Sequence, residues 1–150
     1  MKLTRRPTSP ADREFARNAH HRAYHDVVVR QFGNWDEALQ DKFFSGDWAG
    51  ATFEILLWDG VPCGYVSIED RADCIHVREL VLLPEYQRRG IGTSLLAETI
   101  TRAREQRVPV KLGVLHHNHA INLYRRMGFV DCGRTETHTL MEWKDDKPLS

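Results

Sequence analysis

Short runs of apolar and β-branched residues alternate along this chain with longer stretches in which apolar side chains recur every three or four positions. Lys2–Arg6 reads as a short edge strand. Pro10-Ala11-Asp12-Arg13 opens a helix, and Phe15, Ala19, Ala23 and Val27 carry helical spacing toward Phe32, where Gly33-Asn34 ends it. A second helix is predicted from Trp35-Asp36-Glu37 to Gly46. Thr52–Trp58 and Val61–Glu69 read as strands joined by Asp59-Gly60, a strong hairpin signal. Cys74–Leu83 is the next strand. A helix follows over Gly92–Arg107, with Leu95, Leu96, Thr99, Ile100 and Ala103 toward the sheet. Val110–Leu115 is a strand and Asn118–Met127 a helix; Phe129–Arg134 and Thr137–Trp143 form a last hairpin. The predicted order is β, α, α, β, β, β, α, β, α, β, β. It describes a mixed α/β chain with no internal repeat or linker, and the 150 residues are expected to form a single domain.

Composition narrows the function classes. The chain has 21 basic and 21 acidic side chains, so no global basic excess exists to displace counterions from a nucleic acid, and no nucleic-acid partner is expected. The three cysteines, Cys63, Cys74 and Cys132, are scattered and lack C-x-x-C spacing, which disfavours a disulfide framework or a zinc site. A reducing cytoplasm is the expected compartment. The segment from Met1 to Pro7 lacks the apolar core of a signal peptide, and no apolar run is long enough to span a membrane. The polar tail from Lys144 to Ser150 is expected to fray.

The most informative segment is Gln87-Arg88-Arg89-Gly90-Ile91-Gly92-Thr93. It follows the apolar Leu80-Val81-Leu82-Leu83 and opens a helix. The first amides of a helix have no internal partner, and the helix dipole adds positive partial charge there, so a strand, a glycine-bearing turn and a helix start form an anion site. Gly90 and Gly92 let the backbone approach a phosphate without a Cβ between them. Arg88 and Arg89 add attraction for a polyanion. The spacing fits neither the P-loop, since no Lys-Ser/Thr follows, nor the dinucleotide fingerprint, since Leu95 stands where the third glycine should be.

Gln-x-x-Gly-x-Gly after a strand resembles the acyl-CoA pyrophosphate loop of the GNAT superfamily of N-acetyltransferases. A second segment carries the same resemblance: the Val110–Leu115 strand, Asn118, a short helix with Ala120 and Leu123-Tyr124, then Gly128-Phe129. Asn118 is a good N-cap and stands six residues before Tyr124, where many relatives have seven. The resemblance spans about Leu56 to Trp143. It implies a GNAT-like acyl-CoA N-acyltransferase fold, a mixed and mostly antiparallel sheet flanked by about four helices. It implies acetyl-CoA as cosubstrate, held by Leu80, Val81, Leu82, Gln87, Arg88, Arg89, Gly90, Ile91, Gly92, Thr93, Asn118 and Tyr124. It also implies an amine acceptor; a homodimer stays open.

Acetyl transfer to an amine requires a base, because a free amine has a pKa of about 10.4, and an acid for the departing thiolate, whose thiol resembles Cys at about 8.5. The resemblance assigns the acid to Tyr124. For the base, Glu79 and His76 both lie on the strand before the loop, and in a regular strand they point to opposite faces. Glu79 interrupts the apolar row of Ile75, Val77 and Val81, so burial is expected to raise its pKa; His76 titrates near neutrality without tuning. The resemblance implies that the aromatic-rich first helices shape the acceptor pocket, with Tyr24 and Trp35 as its expected walls. The His116/His117/His119 and His21/His25 groups each lack a placed third ligand, so no metal is expected. The reading is an acetyl-CoA-dependent N-acetyltransferase acting on a primary amine of a small molecule or peptide. Its alternatives are a non-catalytic acyl-CoA-binding regulatory module and a toxin-like aminoacyl-tRNA acetyltransferase. The acceptor is not specified by the sequence.

Overall fold

A computed structural model describes residues 2–145. Seven strands and four α-helices follow in the order β1 (Leu3–Pro7), α1 (Arg13–Phe32), α2 (Glu37–Gly50), β2 (Glu54–Trp58), β3 (Val61–Asp70), β4 (Ile75–Leu82), α3 (Ile91–Gln106), β5 (Val110–Leu115), α4 (Ala120–Arg126), β6 (Val130–Arg134) and β7 (His138–Trp143). Single 3-10 turns at Pro10–Asp12 and Pro84–Tyr86 precede α1 and follow β4. The strands form a mostly antiparallel sheet in the order β1-β2-β3-β4-β5-β7-β6. Its parallel pair is β4 with β5, and among the described residues that ladder holds three pairs, from Ile75 opposite Val110 to Val77 opposite Leu112. No helix among the described residues is long and apolar enough to cross a membrane. The predicted tail falls partly on residues 146–150, which lie outside the described residues.

The chain divides into two compact units. The first contains the residues up to Ser67 together with Glu79–Gly92. Its core gathers Ala16 and Ala19 of α1, Phe44 of α2, Ile55, Tyr65, and Val81 and Leu83 at the end of β4. Phe44, Trp48 and Phe53 stack face to face, with centroids 5.6 and 5.2 Å apart, and Tyr65 meets Phe53 edge-on at 5.4 Å. This packing accounts for the one clear departure from the predicted boundaries. Helix α2 runs through Gly46 to Gly50 because Trp48, one turn after Phe44, is drawn onto the stack. The β2–β3 hairpin turns at Asp59-Gly60, both at positive φ, and β1 pairs with β2 from Leu3 opposite Trp58 to Pro7 opposite Glu54.

One contact in this unit fixes residue identity. A Cβ built on Gly64 of β3 would lie 2.0 Å from the Val81 carbonyl oxygen and 3.0 Å from the Leu82 Cα. Glycine at position 64 therefore permits the backbones of β3 and β4 to approach directly ahead of the loop that follows β4.

The second unit contains Ile68–Arg78 and the chain from Thr93 onward. Leu95, Leu96, Thr99, Ile100 and Ala103 are buried along one face of α3, as their spacing predicts. Alternate residues of β5, Val110, Leu112 and Val114, are buried, and β5 pairs with β7 from Val110 opposite Trp143 to Leu115 opposite His138. Asn118 caps α4 from one residue outside the expected position. Its Oδ1 accepts from the Ala120 amide at 2.9 Å while His119 occupies the N-cap.

Candidate active site

In the first unit, the segment from Leu83 to Gly92 is held at both ends. The Leu83 amide donates to the Cys63 carbonyl at 2.9 Å, and Gln87 Nε2 donates to the Leu82 carbonyl at 3.0 Å. Gln87 thus ties the loop back to β4. Arg88 has φ 61° and Gly90 φ 83°, with the intervening Arg89 at negative φ. Alternating signs of φ turn successive amides toward one side, the geometry of a backbone anion nest. Buried Ile91 starts α3, whose first turn contains no acidic side chain to offset the helix dipole. The Arg89 guanidinium stacks 5.1 Å above the Tyr86 ring. Thr93 is exposed in that first turn, at the start of the second unit's stretch of α3.

Immediately before this loop, β4 places Glu79 half-buried in the row that holds buried Val77 and Val81. The carboxylate is less enclosed than its sequence row suggests, and it accepts a hydrogen bond from the Tyr24 hydroxyl of α1. Tyr65 of β3 is 2 % exposed; burial, and then the charges of Glu79 and Asp47, push its phenol well above the ordinary range. Two predicted site residues, Tyr24 and Glu79, are therefore brought together. The other base candidate, His76, lies in the second unit, where its Nδ1 meets Glu69 Oε1 at 3.0 Å. The bond to His76, followed by the one from Arg71, holds the Glu69 carboxyl below its usual range.

Behind Tyr24, α1 and α2 are joined by a polar chain that the sequence did not reveal. His20 Nδ1 lies 2.9 Å from His21 Nδ1, and His21 Nε2 lies 2.7 Å from Asp41 Oδ1, which also accepts from Arg17 Nε at 2.7 Å. Its bond with His21 lowers the Asp41 carboxyl. As a carboxylate can only accept, His21 Nε2 bears the hydrogen; in neutral His21, Nδ1 then accepts and His20 Nδ1 donates. Trp35 closes the outer end: its indole donates to Glu37 Oε2 at 2.6 Å and its ring lies 5.2 Å from His21. His21, Glu37 and Asp41 offer three ligand atoms within 4.8 Å of one another, the spacing of a metal site. Arg17 reaches both carboxylates, Glu37 at 3.0 Å and Asp41 at 2.7 Å, and so supplies the positive charge there.

His20 makes this chain sensitive to acid. Burial, and then the neighbouring His21, lower its pKa to about 4. Its folded-state pKa lies below the unfolded value, so stability is fully present above about pH 6.5 and declines as pH falls from there toward 4. The full decline from this group is up to about 3 kcal/mol. Urea unfolding at pH 7 and pH 5 is expected to show a smaller loss in His20→Gln than in the parent. Equal losses would remove His20 as the cause.

In the second unit, Tyr124 on α4 is 7 % exposed and its ring packs against Phe129 at 5.8 Å, while its carbonyl accepts from the Phe129 amide. Met127 and Gly128, the latter at φ 99°, complete the turn out of α4. His116 belongs to the hairpin: it meets the Thr139 hydroxyl at 2.8 Å and the Thr135 carbonyl at 3.0 Å. Among the described residues, the three histidines at 116, 117 and 119 do not form a metal-binding group.

Residues 14–129 match the model of the acetyltransferase (GNAT) family. The chain belongs to that family. This GNAT acetyltransferase is 29% identical, over 60% of its length, to an uncharacterized N-acetyltransferase of Methanocaldococcus jannaschii, and the match spans 39% of that relative. Its fold is shared with the PaiA N-acetyltransferase of Thermoplasma acidophilum, solved in complex with coenzyme A. The TM-score is 0.78 at 18% identity, over 97% of this chain and 100% of that one. The YncA protein of Salmonella typhimurium, a putative acetyltransferase solved with acetyl-CoA, aligns at a TM-score of 0.58 and 22% identity, over 100% of this chain and 98% of that one. The GNAT fold expected from the two sequence motifs is the fold observed.

Proposed function

We propose that this GNAT acetyltransferase is an acetyl-CoA-dependent N-acetyltransferase that acts on a primary amine of a small molecule or peptide. The observation that carries this reading is the turn from Gln87 to Gly90, with positive φ at Arg88 and Gly90, leading into α3. Amides so arranged suit the two phosphates of a pyrophosphate. No heavy atom lies within 4 Å of a Cβ built on Gly90, so the turn has room for such a group. The neighbours solved with coenzyme A and acetyl-CoA support the choice of cosubstrate. Residues 87–93 would hold the pyrophosphate. The Leu80–Leu82 amides, beyond the three-pair β4–β5 ladder, would hold the pantetheine arm, and Asn118 would complete the cofactor side.

Acetyl-CoA supplies the acetyl thioester. Glu79 accepts the proton that the acceptor ammonium must lose before the nitrogen can attack, and Tyr124 gives a proton to the departing thiolate. The nitrogen then bonds to the thioester carbon and the C–S bond breaks; the second proton shed by the nitrogen as the amide forms restores Tyr124, and the proton on Glu79 passes to solvent, so each turnover releases one net proton.

Release of free thiol from acetyl-CoA, measured over polyamines, aminoglycosides, amino acids and peptide N-termini, tests the reaction. Turnover with an amine acceptor is expected, and binding without turnover would overturn it. Gly90→Val is expected to weaken CoA binding at least about 10-fold by calorimetry, by placing a branched side chain at the anion nest. Gly33→Val is its control, since Gly33 also has positive φ (91°) and an open Cβ position but caps α1. Equal affinities in the two variants would remove the turn as the phosphate site.

A further inference from the structure

We infer that Tyr24 is a positioning residue whose hydroxyl holds the Glu79 carboxylate ready to receive the acceptor's proton, with the His20–His21–Asp41 chain locking the tyrosine ring in place. The inference rests on the reading of Glu79 as the base and goes beyond the role of Tyr24 as a pocket wall.

A carboxylate even partly withdrawn from water needs hydrogen-bond donors in place of the hydration it loses. The Tyr24 hydroxyl donates to Glu79 Oε1 and supplies what water would have supplied. A hydrogen bond donated to the charged form favours that form. It also fixes one oxygen of the group, and with it the orientation of the carboxylate. When Glu79 takes up a proton, the bond from Tyr24 weakens, and this favours passing the proton on. The charged and titratable groups near the carboxylate include Tyr24 from α1 and Tyr65 from β3, with Arg78 adjacent on β4; Tyr65 also feels the charge of Asp47 from α2. Asp47 and the buried Tyr65 supply no positive charge, and the hydroxyl of Tyr24 is a contribution from α1 that favours the carboxylate.

The ring must be fixed for this to work, and α1 supplies the fixing. His20, one turn before Tyr24, packs against it with centroids 4.9 Å apart and is itself 8 % exposed. Its Nδ1–H is committed to His21, His21 is committed to Asp41 of α2, and Asp41 to Arg17. Each bond in the series dictates the direction of the next, so His20 has one tautomer and one orientation. The tyrosine thus packs against a ring that cannot turn freely.

Two measurements on the full chain test this. The first is the carboxyl titration of Glu79 by ¹³C NMR, in the parent and in Tyr24→Phe, which keeps the ring and removes the donor. The midpoint is expected to rise by about one pH unit, the usual size of a lost hydrogen bond to a carboxylate. The second is the kcat/KM pH profile of the parent, Tyr24→Phe and Glu79→Gln. The acidic limb is expected to move up in Tyr24→Phe and to vanish in Glu79→Gln, with acetyl-CoA affinity unchanged in Tyr24→Phe. An unmoved NMR midpoint overturns the hold of Tyr24 on Glu79, whatever the kinetics. A raised midpoint with a limb that neither variant moves supports that hold and overturns Glu79 as the base.

Discussion

Tyr124→Phe is expected to lower kcat about 100-fold or more, the usual worth of a positioned acid, while leaving the Kd for acetyl-CoA within about two-fold. The substitution keeps the ring and removes the hydroxyl. Tyr124 is buried and its ring packs on Phe129, a contact that phenylalanine reproduces. The backbone bonds that close the turn after α4 use the Tyr124 carbonyl and do not depend on the side chain. What is lost is the phenolic proton. A thiolate with a conjugate pKa of about 8.5 leaves more readily when a donor of pKa about 10 stands beside it. Steady-state thiol release with a saturating acceptor measures kcat, and a pre-steady-state burst test establishes that chemistry limits the rate. An unaltered kcat under those conditions would assign the proton to another donor.

Gly64→Val is expected to destabilise the protein by about 4 kcal/mol or more, in the range reserved for severe core defects. The obstacle is backbone: the new Cβ would stand 2.0 Å from the Val81 carbonyl oxygen, and 3.0 Å from the Leu82 Cα. No rotamer relieves such a clash, so β3 and β4 must separate. Val81 and Leu83 belong to the core of the first unit, and separation would loosen that core and the strand that leads into the Gln87–Gly90 turn. Gly133→Ala is the control. Its Cβ would meet only the Leu140 side chain, at 3.4 Å and beyond, which can yield. Urea midpoints compare the two, and a Gly64→Val midpoint close to that of Gly133→Ala would show that the sheet absorbs the clash.

Local signals carried much of the fold. Asp59-Gly60 announces its hairpin because both residues tolerate positive φ, and the spacing of Leu95, Leu96, Thr99, Ile100 and Ala103 marks the buried face of α3. The sequence ends α2 at Gly46 because a glycine is a local stop signal, whereas the stacking of Trp48 between Phe44 and Phe53 depends on where β2 begins. The same division applies to the candidate site. The Gln87–Thr93 segment stands out through glycine spacing at a strand–helix junction. The left-handed conformation of Arg88 does not, since nothing in an arginine demands it. Tyr24 and Glu79 each stand out in the sequence, yet their bond joins residues 55 positions apart and exists only once α1 lies against the sheet. The His20–His21–Asp41 series likewise requires α1 packed on α2. Nothing in the sequence marks Gly64, because the carbonyl that forbids a side chain there belongs to a different strand.

The turn after β4 also divides its residues into two kinds of information. At Arg88 and Gly90 the chain stores a shape, in torsion angles of 61° and 83° that few side chains adopt without cost. At Arg89, with its guanidinium lying on Tyr86, it stores a charge whose reach into solvent is set by the surrounding salt. Exchanging residues of the first kind alters where the amides point, under any buffer. Exchanging the second alters only how strongly a distant anion is drawn in, and that difference fades as ionic strength rises. A single salt titration of binding therefore separates variants that deform the turn from variants that merely discharge it.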